Sequence, residues 1–197
     1  RKTKFLSADE HFEDSSSILD SMEDSEDIQT YHFISTPENT LKLVNLKSYN
    51  LVTKDLSANP TLSEIPSISF KVDDNKDLYI FTNLGNCIKM PVKAINECRF
   101  RDRGTTLFSL VKNIDKDENI VAVLELDNSL KNHNLLFVTK SGMIKISKVS
   151  DYFASKQVIG GIKIGRNDEL LMLHIHKQKK KLCMFTGIGN GVKISTS

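Results

Sequence analysis

The sequence predicts an all-β body assembled from a repeated, propeller-like unit, and three observations carry that prediction. Short β-rich runs follow one another from Tyr31 onward, a hairpin motif recurs along the chain, and a second half-motif follows each of the middle hairpins.

The runs include Leu78-Tyr79-Ile80-Phe81-Thr82, Ile120-Val121-Ala122-Val123-Leu124 and Leu135-Leu136-Phe137-Val138-Thr139. Leu170-Leu171-Met172-Leu173 and Leu182-Cys183-Met184-Phe185-Thr186 continue the series. Stretches this short, bounded by Gly, Asn and Asp, read as strands buried on both faces. Nothing between them reads as a long amphipathic helix.

The hairpin motif is Phe81-Thr82-Asn83-Leu84-Gly85-Asn86-Cys87-Ile88-Lys89. It recurs as Val138-Thr139-Lys140-Ser141-Gly142-Met143-Ile144-Lys145 and as Phe185-Thr186-Gly187-Ile188-Gly189-Asn190-Gly191-Val192-Lys193. In each copy a strand ends in Thr, Gly follows at the third position after it, and a second strand carries a Lys. That pattern demands a turn with positive φ, which glycine adopts without a Cβ clash. An earlier copy, Ile34-Ser35-Thr36-Pro37-Glu38-Asn39-Thr40-Leu41-Lys42, places Asn39 at the glycine position. Asn is the next best residue for a left-handed conformation.

The second half-motif runs from Arg103-Gly104 to Asp117-Glu118-Asn119-Ile120, and again from Gly160-Gly161 to Asn167-Asp168-Glu169-Leu170. Thr82 and Thr139 lie 57 residues apart, Thr139 and Thr186 lie 47 apart. Repeats of that length, each supplying several short strands, form propeller-like blades. The expected blades cover about residues 31–77, 78–130 and 131–181, with the opening hairpin of a fourth at 182–197. Residues 1–30 read as an acidic linker or arm, disordered or forming one short helix.

The formal charge of +2 conceals a polarised chain. Residues 1–30 hold three basic and nine acidic side chains, whereas residues 31–197 hold 24 basic and 16 acidic. A basic body behind an acidic arm suggests a polyanionic partner. The cations cluster: Lys89, Lys93, Arg99, Arg101, Arg103 and Lys112 face two acids between residues 78 and 112. Lys131, Lys140, Lys145, Lys148, Lys156, Lys163 and Arg166 face Asp151 alone. Equivalent lysines of repeated blades are expected on one rim, at a spacing that tracks a phosphate backbone. Arg99, Arg101 and Arg103 alternate and would share one side of a strand, where their planar forks grip phosphates. The run Lys177, Lys179, Lys180 and Lys181 suits a charged loop tip as well as a DNA contact.

Other chemistry is sparse. Cys87, Cys98 and Cys183 form no CxxC pair and read as small buried hydrophobes. His174 and His176 have no third ligand at metal-site spacing, so no metal and no cofactor is expected. No nucleophile elbow, P-loop or supported acid pair is present, so catalysis is not expected from this chain. No apolar run approaches the roughly 20 residues that cross a bilayer. Without such a run or a signal peptide, the expected location is cytoplasmic.

The two-part repeat resembles the C-terminal domain of the A subunit of bacterial DNA gyrase and topoisomerase IV. The matching residues are Phe81-Thr82-Asn83-Leu84-Gly85, Arg103-Gly104 and Asp117-Glu118-Asn119-Ile120, then Val138-Thr139-Lys140-Ser141-Gly142, Gly160-Gly161-Ile162-Lys163 and Asp168-Glu169-Leu170. The resemblance covers residues 78–197 well and 31–77 weakly. It implies a β-pinwheel of four-stranded blades, here about three and an opening hairpin, in a monomeric domain that bends or wraps duplex DNA on a basic outer rim. That rim would present DNA to the cleavage core of a type IIA topoisomerase, making the domain nucleoid-associated and non-catalytic on its own. The gyrase signature QRRGGKG, which goes with negative supercoiling, is absent from these residues, favouring topoisomerase IV-like or divergent behaviour and leaving gyrase and topoisomerase IV both open. The DNA-binding set expected is Lys89, Lys93, Arg99, Arg101, Arg103, Lys140, Lys145, Lys148, Lys156, Lys163, Arg166 and Lys193. The alternative is a propeller-type protein-interaction scaffold without a nucleic-acid role.

Overall fold

The structure, a computed structural model, describes residues 27–56, 66–112, 114–176 and 181–195. Most of the acidic arm, and Lys177, Lys179 and Lys180, lie outside the described residues.

Four hairpins set the architecture, and their turns share one construction. The carbonyls of Thr36, Thr82, Thr139 and Thr186 accept the backbone N–H of Asn39, Gly85, Gly142 and Gly189 at 2.9–3.1 Å. Each threonine hydroxyl also accepts a backbone N–H from four residues on: Thr40 at 3.4 Å, Asn86 at 3.2 Å, and Met143 and Asn190 at 3.1 Å. The positive φ that the motif demands is present in all four, at 57° for Asn39, 87° for Gly85 and 88° for Gly142 and Gly189. The strand-ending threonine therefore caps the turn, which explains why it recurs with the glycine.

Around these hairpins stand three larger antiparallel sheets and one two-stranded ribbon. The first sheet contains β1 (Thr30–Ser35), β2 (Thr40–Asn45), β3 (Ile68–Asp73) and β6 (Thr105–Thr106), in the order β3-β1-β2-β6. The second contains β4 (Asp77–Thr82), β5 (Asn86–Pro91), β7 (Ile120–Glu125) and β10 (Val158–Gly160), in the order β10-β5-β4-β7. The third is β11-β8-β9, from β8 (Asn134–Thr139), β9 (Ile144–Lys148) and β11 (Leu170–His176). A ribbon of β12 (Lys181–Phe185) and β13 (Gly191–Ser195) follows. In the first two sheets the strand beside the hairpin's second arm comes from the next repeat. Thr105 pairs with Leu41, and Ile159 pairs with Cys87. The all-β architecture of successive antiparallel blades is the one the sequence predicts.

Two cores lie between the sheets, and the alternation of β4 feeds both. Leu78 and Ile80 point into the first, with Phe33, Leu41 and Leu43 of the first sheet. Tyr79 and Phe81 point into the second, with Leu135 and Phe137 of the third. The rings of Phe81, Phe137 and Tyr152 meet there at centroid distances of 5.5–5.9 Å. A clasp closes the same junction: Gly161 N–H and Ile162 N–H both donate to the Gly85 carbonyl, at 2.8 and 3.0 Å.

Three expectations are corrected. A helix, α1 (Leu46–Leu56), follows β2. Its Tyr49 stacks on His32 of β1 at 3.5 Å, so it covers the side of the first sheet that faces away from the second. Strands β11 and β12 are not buried on both faces: their burial alternates with exposed positions along each strand. Leu171 is 64% exposed and Phe185 81%. Finally, Cys87 is buried and its thiol is pushed up to about 12 by that burial, but Cys183 is exposed on β12.

Candidate nucleic-acid interface

The first basic cluster is shaped by a tight turn. Residues 99–102 close it through Asp102 N–H donating to the Arg99 carbonyl at 3.0 Å. The Asp102 carboxylate in return accepts the Arg99 N–H at 2.9 Å. Arg99, Arg101 and Arg103 are thus exposed around a turn, not aligned on one side of a strand as the alternation suggested. The local side-chain cap of Asp102 outcompetes strand pairing at this point. Gly104, at φ 75°, then turns the chain back onto the first sheet, where β6 pairs with β2. Lys93 is exposed in the 3₁₀ turn Val92–Ala94 ahead of this cluster.

The hairpin lysines occupy two registers, which corrects the expectation of a single rim. Lys42 pairs across from Ile34 and Lys145 across from Phe137, both six positions after the turn threonine. Lys89 pairs across from Tyr79 and Lys193 across from Cys183, both seven positions after it. A one-residue offset places side chains on opposite faces of a strand. Their surroundings differ accordingly. Lys42 is only 3% exposed, and its Nζ reaches the Phe100 carbonyl at 3.4 Å. Lys89 donates to the Asp77 carboxylate at 3.0 Å, and that hydrogen bond raises its pKa. Lys145 donates to the Gly161 carbonyl at 3.1 Å while its ammonium lies over the Phe137 ring. Lys193 is exposed on β13.

The second basic cluster surrounds a groove of about 440 Å³ between the third hairpin turn and residues 162–168. Lys145, Lys163 and Arg166 line it with Ser141 and Asp168. Lys156 is exposed just ahead of β10, and Lys148 is exposed at the end of β9. Lys140, on the hairpin turn, lies 3.8 Å from Glu169. Among the described residues no carboxylate pairs with Arg99, Arg101, Arg103, Lys148, Lys156, Lys163 or Arg166. Two adjacent repeats therefore present cations whose charge is not consumed internally, a requirement for binding a polyanion through ion release.

The family described as DNA gyrase C-terminal domain, beta-propeller, matches residues 76–127 and 133–171. The match falls on the second and third sheets and their connecting segments. Over 125 residues the chain is 30% identical to the A subunit of DNA topoisomerase 4 from Bacillus subtilis, covering 62% of this chain and 15% of that one. Over 120 residues it is 34% identical to the A subunit of DNA gyrase from Chlamydia muridarum, covering 59% of this chain and 14% of that one. The fold extends beyond the matched repeats. A solved C-terminal domain of DNA topoisomerase IV superposes with a TM-score of 0.73 over 86% of this chain and 53% of that one, at 23% identity. The E. coli ParC C-terminal domain gives 0.64 over 85% of this chain and 65% of that one, at 11% identity.

Within this gyrase-type framework, sequence reasoning overlooked Asp168. Its carboxylate accepts Ser141 N–H at 2.9 Å, Ser141 Oγ–H at 2.6 Å and Glu169 N–H at 2.9 Å. The recurring Asp-Glu pair was the available signal, but pattern alone does not say what the carboxylate holds.

Proposed function

We propose that this chain is a non-catalytic accessory module of a type IIA topoisomerase A subunit that binds duplex DNA on a basic outer rim. The DNA bends or wraps there, and a segment is presented to the cleavage core. The observation that carries the reading is the pairing of two exposed clusters on successive blades, Arg99, Arg101 and Arg103 on one and Lys148, Lys156, Lys163 and Arg166 on the next, with no carboxylate partner among the described residues. The match of residues 76–127 and 133–171 to the gyrase C-terminal domain family supports it.

Binding of a fluorescent duplex across a salt series tests the proposal. Log affinity is expected to fall linearly with log salt, at a slope of about 0.9 for each phosphate neutralised. Changing Arg99, Arg101 and Arg103 together to glutamate is expected to weaken binding by more than about tenfold and to flatten that slope by two to three units. A triple variant that binds like the parent would remove this cluster from the surface. Absence of binding at low salt would leave the protein-interaction scaffold as the reading.

The local pairing of each cation gives a finer expectation. Lys163→Gln should flatten the slope by about one unit, as expected for one lost phosphate contact. Lys89→Gln should leave it unchanged, because Asp77 already neutralises that ammonium. Equal effects of the two substitutions would show that internal pairing does not decide which lysines meet DNA.

A further inference from the structure

The groove beside Lys163 and Arg166 contains one carboxylate, and that carboxylate already accepts three hydrogen bonds. Asp168 follows a turn in which Asp168 N–H donates to the Gly165 carbonyl at 3.3 Å. Arg166 and Asn167 form the tip of that turn, and Asn167 has a φ of 61°. A positive φ at the third turn position, occupied by Asn, matches the second central residue of a type II turn, and the residue before it is exposed. That residue is Arg166. Ile164 and Leu170 on either side of the loop pack into the second core, but its tip residues Arg166, Asn167 and Glu169 are exposed. Within that exposed tip the Asp168 carboxylate ties the loop to Ser141 on the third hairpin turn. The Lys140 N–H, donating to the Glu169 carbonyl at 2.8 Å, adds one backbone tie.

We infer that Asp168 is a positioning residue for a phosphate-binding groove, fixing the Arg166 turn so that Arg166 and Lys163 converge with Lys145 on one phosphodiester of the bound duplex. This inference rests on the DNA-binding reading above and assigns it a specific anchor. The carboxylate lies beside a polyanion's path, which by charge alone would oppose binding. Its electrostatic cost is reduced because its lone pairs are already engaged by two backbone N–H groups and a hydroxyl. The hydrogen bonds from Ser141 and then Thr139 hold its carboxyl well below the usual carboxylate range, so it remains an acceptor throughout neutral pH.

Charge and position make opposite predictions, and this allows a clean test on the full chain with a duplex of about 40 base pairs. Asp168→Asn keeps an oxygen for the Ser141 and Glu169 N–H groups and removes the charge. Asp168→Ala removes both. If the carboxylate acts only through its field, both variants bind more tightly than the parent, and equally so. Under the positioning role, Asp168→Asn binds at least as well as the parent. Asp168→Ala then binds roughly fivefold more weakly, with a salt slope flatter by about one unit. Ser141→Ala, which changes no charge, should weaken binding in the same direction by about twofold and serves if the alanine variant at 168 does not fold. Tighter or unchanged binding by Asp168→Ala, or by Ser141→Ala where it must stand in, overturns the inference. So does an Asp168→Asn variant as weak as Asp168→Ala. A parent chain that fails to bind DNA at low salt instead overturns the proposed function itself.

Discussion

Replacing Phe81 by alanine is expected to destabilise the protein by about 3–5 kcal/mol, the range for deleting a fully buried aromatic ring. Phe81 is completely buried and belongs to the ring triad that joins the second and third sheets. Its ring stands edge-on to Phe137 at 5.8 Å and to Tyr152 at 5.5 Å, so truncation removes two aromatic contacts as well as the apolar area. The backbone around it is pinned on both sides by strand pairing, to Cys87 on β5 and Ala122 on β7, which limits collapse into the cavity. A fall in melting temperature of about 10 °C would follow for a chain of this size. Phe185 supplies the control. It is the residue before the turn threonine in the last hairpin, equivalent to Phe81, but it is 81% exposed. Its replacement by alanine should move stability by less than about 0.5 kcal/mol. Similar losses at both positions would mean that the ring triad does not couple the sheets.

Gly85→Ala is expected to be about as damaging, by a different route. At φ 87° any L side chain is strained, and a Cβ here would lie 2.3 Å from the Ile162 carbonyl oxygen. That oxygen belongs to the segment clasped onto the Gly85 carbonyl, so relief of the clash must break the clasp. The two costs together reach about 4 kcal/mol or more, within the range reserved for backbone strain combined with broken buried hydrogen bonds. Gly142 isolates the first cost. Its φ is 88°, and nothing lies within 4 Å of the place a Cβ would take. Gly142→Ala should therefore cost only about 1–2 kcal/mol, the penalty for a left-handed L residue. Denaturant unfolding of both variants checks the difference. If they were equally destabilised, the contact with Ile162 would contribute nothing.

These two positions also show how far the sequence could be read. The hairpin turn is a local device: a threonine hydroxyl, a carbonyl and a left-handed residue within five consecutive positions, and all four copies form as the motif predicted. The clasp is not local, because Gly85 meets a segment more than 70 residues away whose only sequence mark is a pair of glycines. The same distance hid the strands β6 and β10, which are too short to show a period and are recognised only by their partners. Helix α1 was overlooked because it opens at Leu46 directly after β2 ends at Asn45, and its apolar residues are too few to mark a long amphipathic face. At the candidate interface, the sequence identified which repeats are basic. It could not sort Lys89, neutralised by Asp77, from Lys163, which has no such partner among the described residues. Nor could it foresee that Asp102 would fold three alternating arginines into a turn.

The strand that each of the first two sheets receives from the following repeat has a consequence for how the chain is made. During synthesis the first sheet cannot gain its last strand until Thr105 and Thr106 have left the ribosome, and the second must wait for Val158, Ile159 and Gly160. Each newly emerged blade therefore waits with one bare edge, the kind of edge that recruits foreign strands. Pairing is completed by the neighbour downstream, so the array matures in one direction like a zip. Loss of the last repeat in such an array would therefore strip the sheet before it of its fourth strand as well.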